Sequence, residues 1–269
     1  VLPQEMQQTV FQTLQDELNP LWSEMFHKGG AVPRLVCLQG DVISVDGDKV
    51  DDGGTQQTMI PLYRHPCDEH PTLHQCTPTV AKLRDIASNV VGQTLNHALI
   101  QMYRGGDDYI SEHADKTLDI ERGSDIVNFS IGATRTLILR PKKGDEWEKG
   151  KMRPSTRVTM DHASLFVLGW ETNKVMTHEI RRDKRNFECK MEGEKAFGGV
   201  RISLTFRKVA TFLREDGTLI GQGAPKDNVS SPPWSRVEEE ELLLDAFSTE
   251  NRKSDYDWDE LYGNGFSVV

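Results

Sequence analysis

The sequence contains little cysteine and no long apolar run. Its four cysteines among 269 residues, Cys37, Cys67, Cys76 and Cys189, are too few and too irregularly spaced to suggest a disulfide framework. No stretch of about 18 apolar residues predicts a membrane-spanning helix, and the start shows no signal-peptide pattern. We therefore expect an intracellular, cytoplasmic protein with no membrane partner.

Positive charge is scarce outside the middle of the sequence. The formal net charge is −10, but residues 81–210 contain 23 basic and 18 acidic side chains (net +5), residues 1–80 contain 4 and 11 (net −7), and residues 211–269 contain 5 and 13 (net −8). Nucleic-acid phosphates attract such central basic segments. Because both flanks are acidic, solvated turns are the favoured interpretation of the segments at 140–143, 149–157 and 181–185.

Two potential metal ligands stand two residues apart in the middle of the chain. On a β-strand, His113 and Asp115 point to the same face, whereas Ala114 points away. Two imidazoles and one carboxylate leave three metal positions open, as in non-haem Fe(II) oxygenases. A closed structural zinc site would require a fourth ligand, often a thiolate, and the motif contains none.

The third ligand has to come from another strand, and two downstream histidines compete for this role. His162 lies in a polar turn before an apolar run. His178 lies in a candidate strand in which Met176 and Ile180 share its face. We therefore select His178.

A third segment combines two arginines with two hydroxyls on one strand face. Arg201, Ser203, Thr205 and Arg207 alternate with the apolar Ile202, Leu204 and Phe206. Burying two guanidiniums is unfavourable unless an anion is held there, and a bidentate contact to a carboxylate suits them. The alternative is that this strand face is solvated and its arginines point to water. The potential metal ligands earlier in the chain make this alternative less favourable.

These motifs occur in order, and together they resemble the AlkB-like branch of the Fe(II)/2-oxoglutarate dioxygenases. The resemblance extends from about residue 97 to 208. It is carried by Tyr-Arg-Gly-Gly-Asp-Asp-Tyr-Ile-Ser-Glu-His-Ala-Asp (103–115), Gly-Ser-Asp-Ile-Val-Asn-Phe-Ser-Ile-Gly (123–132) and Arg-Ile-Ser-Leu-Thr-Phe-Arg-Lys (201–208). Enzymes of this kind use Fe(II), O2 and 2-oxoglutarate to oxidise a C–H bond, and they release succinate and CO2.

The resemblance implies roles for individual residues. The iron ligands would be His113, Asp115 and His178. Arg201 would pair with the distal carboxylate of 2-oxoglutarate, Tyr103 would hydrogen-bond to this co-substrate, and Arg207 would lie near its iron-chelating end. The chain departs from the branch at Gln101 and Ser203, where asparagine is usual. Both residues retain hydrogen-bonding groups, so we expect co-substrate binding in an altered geometry.

The pattern of short strands predicts an α+β, mainly β fold with a double-stranded β-helix core of the jelly-roll, cupin-like type. We expect three regions: helical and loop support at 1–96, the catalytic core at 97–210, and a linker with an acidic helical extension at 211–269. The expected strands are 97–103, 109–114, 125–131, 134–140, 155–160, 164–168, 174–180 and 200–207.

The regions outside the core show helical periodicity. Apolar spacing predicts one helix over 4–26, interrupted at Pro20, and another that begins at Thr77 and Pro78. A polar loop or hairpin is expected at 41–58, a linker at 217–233 and a helix at 236–252. Aromatic and acidic residues at 256–266 are expected to dock on the domain.

Histidines and cysteines also crowd a short stretch at 65–76. The spacing does not match the paired patterns of structural zinc sites, and prolines suggest an ordered loop. We interpret this stretch as a loop, and the segment at 61–66 as a border of the active-site mouth. The residues concerned are His65, Cys67, His70, His74 and Cys76.

The substrate is the least determined part of the prediction. We favour a small molecule, such as an amino acid or a biosynthetic intermediate, because the flanks are acidic and Gln101 and Ser203 depart from the branch. Oxidative demethylation of nucleic acid is the alternative and would suggest a nuclear location; a catalytically silent binding module is the third. Residues that flank the ligands in sequence are the candidates for the substrate pocket: Met102, Tyr109, Ser111, Trp170 and Arg181.

Overall fold

A computed structural model of the protein describes residues 1–45, 57–144, 152–226 and 235–269. Much of the loop expected at 41–58, part of the basic segment at 149–157 and part of the linker at 217–233 lie outside these residues. None of the helices in the described ranges is long and apolar enough to cross a membrane.

Fifteen strands are present in the described ranges. In chain order they are β1 (Ser23–His27), β2 (Gly30–Gly40), β3 (Ile43–Val45), β4 (Gln57–Pro61), β5 (Leu73–Gln75), β6 (His97–Tyr103), β7 (Ile110–His113), β8 (Ile126–Gly132), β9 (Arg135–Pro141), β10 (Thr156–Met160), β11 (Ser164–Leu168), β12 (Met176–Ile180), β13 (Arg201–Arg207), β14 (Thr211–Arg214) and β15 (Leu219–Gly221).

The helices in these ranges flank the strands. They are α1 (Gln4–Leu18), α2 (Pro78–Val91), α3 (Trp170–Val175), α4 (Glu192–Lys195), α5 (Arg236–Arg252) and α6 (Trp258–Tyr262), with short 3₁₀ turns at Asn19–Leu21, Phe187–Cys189 and Ala196–Gly199.

Two mainly antiparallel sheets form the centre of the molecule. The larger has the order β1-β2-β6-β13-β8-β11, with β5 parallel to β2, and the smaller has the order β10-β9-β12-β7. Strands that are distant in sequence are therefore neighbours, as a double-stranded β-helix requires. A third sheet, β15-β14-β4-β3, joins the chain before the core to the chain that follows it.

The eight core strands lie where the sequence predicts them, with one difference. Residues Trp170–Val175 form α3, so the strand expected from 174 begins at Met176. The side chain of Asn173 in α3 exchanges hydrogen bonds with the backbone of Asp115, and this contact explains why a helical turn precedes β12.

The two N-terminal helices support the larger sheet. Val10, Leu14 and Leu18 of α1 lie in one core cluster with Leu83 of α2 and Phe129 of β8. The expected helix over 4–26 is wrong beyond Leu18, because Pro20 lacks the N–H that would continue the helix. Residues Ser23–His27 instead pair with β2.

The C-terminal helices pack against the loop that follows β7. Leu118 lies in a core cluster with Leu243, Phe247 and Tyr262. The carboxylate of Glu250 is fully buried there; Thr117 N–H and Tyr262 Oη donate to it at 3.1 and 2.7 Å. This extension therefore contacts the chain immediately after the potential metal ligands.

Candidate metal centre and its cavity

A cavity of about 360 Å³ opens between the two central sheets. The larger sheet contributes Tyr103, Asn128 and Arg201 to its wall, and the smaller sheet contributes His113 and His178. Strand alternation explains the composition, because the apolar residues between these positions point to the opposite face.

The two histidines and the aspartate selected from the sequence converge at this cavity. His113 and His178 are opposite each other where β7 pairs with β12. Asp115 Oδ1 lies 3.7 Å from His113 Nε2 and 3.6 Å from His178 Nε2, and the ligand atoms lie within 4.8 Å of one another. The separations exceed those of hydrogen bonds and suit three ligands around one ion.

The protonation states of these side chains favour metal binding. Burial lowers the pKa of His113 to about 3, and burial also lowers the pKa of His178. His113 Nδ1 donates to Ser111 O at 2.8 Å, so the lone pair is on Nε2. Burial alone would raise the pKa of Asp115, but Arg207 and the two histidines hold it well below its usual range.

Asp115 is fixed from both sides. Its backbone N–H donates to Asn173 Oδ1 at 3.0 Å, and Asn173 Nδ2 donates to Asp115 O at 2.9 Å. Arg207 Nε and Nη2 both donate to Asp115 Oδ2, at 3.1 and 2.6 Å. The other carboxylate oxygen, Oδ1, therefore faces the histidines.

His162 lies away from this centre. Gly132 N–H donates to His162 Nδ1 at 3.0 Å, and His162 Nε2 donates to Gln7 O at 2.7 Å. Both ring nitrogens are thus occupied by backbone groups. The side chain joins β8 to α1, which is a structural role.

Arg201 supplies a buried positive charge in the same cavity. Burial lowers the pKa of its guanidinium to about 10, so it is still charged at neutral pH. Its Nε donates to Ser130 Oγ at 2.8 Å, and the ring of Tyr103 lies 5.3 Å from its Cζ. Nη1 is buried without a hydrogen-bond partner among the described residues, which is expected of a group that receives an anion.

The two departures from the branch lie on the same wall. Tyr103 Oη donates to Gln101 Oε1 at 3.3 Å, and Asn128 Nδ2 donates to Ser203 Oγ at 2.8 Å. Asn128 also accepts from Arg201 Nη2 at 3.4 Å. An asparagine from β8 thus accompanies the arginine that the resemblance assigns to 2-oxoglutarate.

The cavity also contains residues that the sequence analysis missed. Asn128 could have been found, since it alternates with the buried Val127 and Phe129 of a strand. Tyr63, whose ring lies 4.1 Å from Arg207 Cζ, belongs to the segment expected at the mouth. Asn251 carried no sequence signal; its Oδ1 accepts from Ala114 N–H at 2.9 Å and from Lys116 Nζ.

The five substrate-pocket candidates lie in three different places. Tyr109 and Ser111 line the cavity. Met102 and Trp170 pack against the core clusters instead. Strand alternation turns Met102 to the face of its sheet that lies away from the cavity, and Trp170 begins α3. Arg181 lies beyond the end of β12, where its side chain is 57% exposed and pairs with Glu179.

Comparison with known proteins agrees with this geometry. Residues 1–207 match the family described as the 2OG-Fe(II) oxygenase superfamily. The chain belongs to this superfamily. It is an Fe(II)- and 2-oxoglutarate-dependent oxygenase of the AlkB-like branch, as the resemblance predicted.

Relatives within the 2OG-Fe(II) oxygenases include DNA oxidative demethylases. The DNA oxidative demethylase ALKBH2 of Homo sapiens is 31% identical over 205 residues, which are 74% of this chain and 67% of that protein. ALKBH2 of Bos taurus shows the same identity over 63% of its own length. The human alpha-ketoglutarate-dependent dioxygenase alkB homolog 3 is 28% identical over 134 residues, 49% of this chain and 43% of that protein.

One solved structure is also similar, but more distantly. OsALKBH1 has a TM-score of 0.46 and 16% identity, over 77% of this chain and 94% of that one. The two ALKBH2 relatives are named DNA oxidative demethylases, whereas the charge distribution of this chain suggested a small-molecule substrate.

The donor set fits the cofactors of the superfamily. Two neutral imidazoles and a carboxylate suit Fe(II). Arg201 Nη1, which has no hydrogen-bond partner in the part of the chain that the structure describes, suits a carboxylate of 2-oxoglutarate. When bound, iron, O2 and 2-oxoglutarate supply the oxidation itself, and the protein determines which carbon is presented to them.

Proposed function

We propose that this protein is an oxidative demethylase that acts on nucleic-acid bases methylated at a ring nitrogen. His113, Asp115 and His178 hold the iron, and Arg201 and Tyr103 hold 2-oxoglutarate. Oxidation converts the N-methyl group to N-hydroxymethyl, which then separates as formaldehyde and leaves the unmodified base. The observation that carries the proposal is the 31% identity to a DNA oxidative demethylase over 74% of the chain.

The cavity wall supports a planar, aromatic substrate. Tyr63, His65 and Tyr109 all line the cavity, and bases removed from a helix stack on such side chains. The volume of about 360 Å³ lies in the range of small-ligand pockets, about 300–1,000 Å³. An isolated base is a ligand of this class.

The basic segment at 181–185 adjoins this cavity. Arg182 Cζ lies 5.2 Å from the ring of Tyr109, and Asp183 N–H donates to Gly106 O at 2.8 Å. The guanidinium of Arg182 therefore lies beside a residue that lines the cavity, where it could contact a phosphate of a strand whose base enters the cavity.

Oxidation of a small molecule is the second candidate. The formal net charge of −10 favours it, and so do the acidic partners of the basic segment. Arg181 pairs with Glu179 at 2.7 Å, and Arg185 pairs with Asp183 at 2.9 Å. These carboxylates compete with phosphate for the same guanidiniums.

The experiment compares oligonucleotides with and without one ring-nitrogen methyl group, each incubated with Fe(II), 2-oxoglutarate and O2. We expect formaldehyde and succinate in equal amounts, with mass spectrometry showing loss of the methyl group only in the methylated strand. Arg182→Ala should raise KM, most strongly at low salt, whereas Lys82→Ala on the outer helix α2 should not. Turnover confined to components of a metabolite extract would contradict the proposal and favour the second candidate.

A further inference from the structure

A second group of potential metal ligands adjoins the cavity, whose wall includes Met25 and His65. Donor atoms of His65, Cys67 and His70 lie within 4.8 Å of one another. The sequence spacing suggested no metal, but the fold brings the three together and adds Met25 of β1, whose Sδ lies 3.4 Å from His65 Nε2. Two sulfur and two nitrogen donors are thus neighbours: Met25 Sδ lies beside His65, and Cys67 Sγ lies beside His70.

The hydrogen bonding of His65 is incomplete without an ion. Its Nδ1 lies 3.3 Å from Tyr63 O, and its Nε2 lies 3.4 Å from Met25 Sδ. A carbonyl oxygen and a thioether sulfur only accept, and a neutral imidazole carries one proton. One ring nitrogen therefore presents a lone pair to another acceptor.

The other pair has the spacing of two ligands on one ion. Cys67 Sγ lies 3.5 Å from His70 Nδ1. Tetrahedral coordination with metal–sulfur and metal–nitrogen bonds of about 2.3 and 2.05 Å separates two such atoms by about 3.5 Å. A cation bound at this pair would stabilise the thiolate form of Cys67, which is the form that binds metals.

The loop that carries these ligands is anchored. Asp68 N–H donates to Phe26 O at 2.8 Å, and the Asp68 carboxylate accepts from the backbone N–H groups of Lys28 and Gly29 at 2.7 and 2.6 Å. Lys28 and Gly29 have φ of 53° and 72°, the left-handed turn that points both donors at one carboxylate. The ligand loop is thereby joined to the β1–β2 hairpin that contributes Met25.

The remaining members of the crowded stretch lie elsewhere. His74 belongs to β5, where it pairs with Gln39 of β2. Cys76 Sγ accepts from Arg84 Nη1 at 4.0 Å. These two residues therefore provide matched controls of the same type in the same segment.

We propose that Met25, His65, Cys67 and His70 form a second metal site that takes a soft ion of the Cu(I) or Zn(II) type. Thiolate and thioether donors favour Cu(I), and an S2N2 tetrahedron also suits Zn(II). On binding, the Cys67 thiol releases its proton to solvent and no electron is transferred. Because His65 lines the catalytic cavity, an ion here would fix one wall of its mouth.

The test uses the full chain with the first site disabled by His113→Ala and Asp115→Ala. Zn(II) and Cu(I) uptake is measured by competition with a chromophoric chelator, and Co(II) reports thiolate coordination through its near-ultraviolet charge-transfer band. We expect one equivalent and a thiolate band. Cys67→Ser should abolish the band, and His70→Gln should weaken binding by at least about tenfold, whereas Cys76→Ser and His74→Gln should change neither.

Two results would overturn the proposal: no metal uptake in the disabled background, or a band that survives Cys67→Ser. Far-ultraviolet circular dichroism checks that each variant is folded. If Cys67→Ser does not fold, His70→Gln is the decisive variant. Met25→Leu should weaken Cu(I) more than Zn(II), and equal retention of both ions would remove Met25 from the ligand set.

Discussion

Arg207 donates two hydrogen bonds to one carboxylate oxygen of Asp115, and the other carboxylate oxygen faces the two histidines of the candidate metal centre. Its Nε and Nη2 donate to Oδ2 at 3.1 and 2.6 Å, and both side chains are buried. The resemblance implied that this arginine lies near the chelating end of 2-oxoglutarate. The structure adds a direct contact to a potential iron ligand, through which Arg207 orients the carboxylate.

Replacing this arginine should weaken iron binding. In Arg207→Gln, Asp115 loses its charged partner, and we expect Fe(II) affinity to fall by about 10–100-fold. Removing one member of a buried ion pair also destabilises the fold by about 3–5 kcal/mol, so affinity is measured on protein confirmed as folded by circular dichroism. Unchanged Fe(II) affinity would exclude the orienting role.

Arg201 should affect the co-substrate rather than the metal. Arg201→Lys retains the charge but loses the planar fork, and Arg201→Ala removes both. We expect KM for 2-oxoglutarate to increase in both variants. The increase should be larger in the alanine variant, where it should correspond to about 2–5 kcal/mol of lost binding free energy. Isothermal titration with Fe(II) in parallel should show little change. A large loss of iron affinity at constant KM would contradict this assignment.

The C-terminal extension should be required for a well-ordered metal site. Asn251 Oδ1 accepts a hydrogen bond from Ala114 N–H. Ala114 separates the two neighbouring potential iron ligands, one at the end of β7 and one in the loop that follows it. We expect Asn251→Ala to reduce Fe(II) affinity by about tenfold. Asp245→Ala, at an exposed position of the same helix, is the control and should bind normally. Equal affinities in the two variants would separate the extension from the site.

Buried histidines should make the metal-free protein sensitive to acid. Burial lowers the pKa of His65 and His113 to about 3 and that of His97 well below its usual value. Below the unfolded pKa of about 6.5, the unfolded chain binds protons that the folded chain does not, so stability falls as pH falls from there toward the folded values. Each such histidine contributes a slope of about 1.4 kcal/mol per pH unit.

Urea unfolding at about pH 7.5, 6.5 and 5.5 measures this slope. His97→Gln removes one of these histidines without touching the proposed iron ligands, and its stability should decline less steeply. A free energy of unfolding that is constant over this interval would show that the histidines titrate normally in the folded state.

The core strands and the convergence of the potential metal ligands were predictable because they depend on local alternation. Apolar residues at every second position identify β8 and β13, and the same period places His113 and Asp115 on one face. β1 was missed because Trp22 and Met25 continue a helical spacing that pairing with β2 overrides. β2 contains Pro33, which is uncommon within strands and weakened its signal.

Contacts between distant segments were not predictable in this way. Asn251 lies more than 130 positions after Ala114, as the hydrogen bond between them shows, and its helix has no periodic feature that indicates a partner. The group of Met25, His65, Cys67 and His70 depends equally on how β1 meets a later loop. In both cases the tertiary fold, rather than spacing along the chain, brings the side chains together.

The central claim is that His113, Asp115 and His178 hold Fe(II) together with 2-oxoglutarate. The most direct measurement is the visible charge-transfer absorption of the Fe(II)–2-oxoglutarate chelate under anaerobic conditions, which requires no substrate. We predict this band in the unaltered protein and in His162→Gln, and its loss in His178→Gln. A band that persists in His178→Gln, or disappears in a folded His162→Gln, would contradict the account.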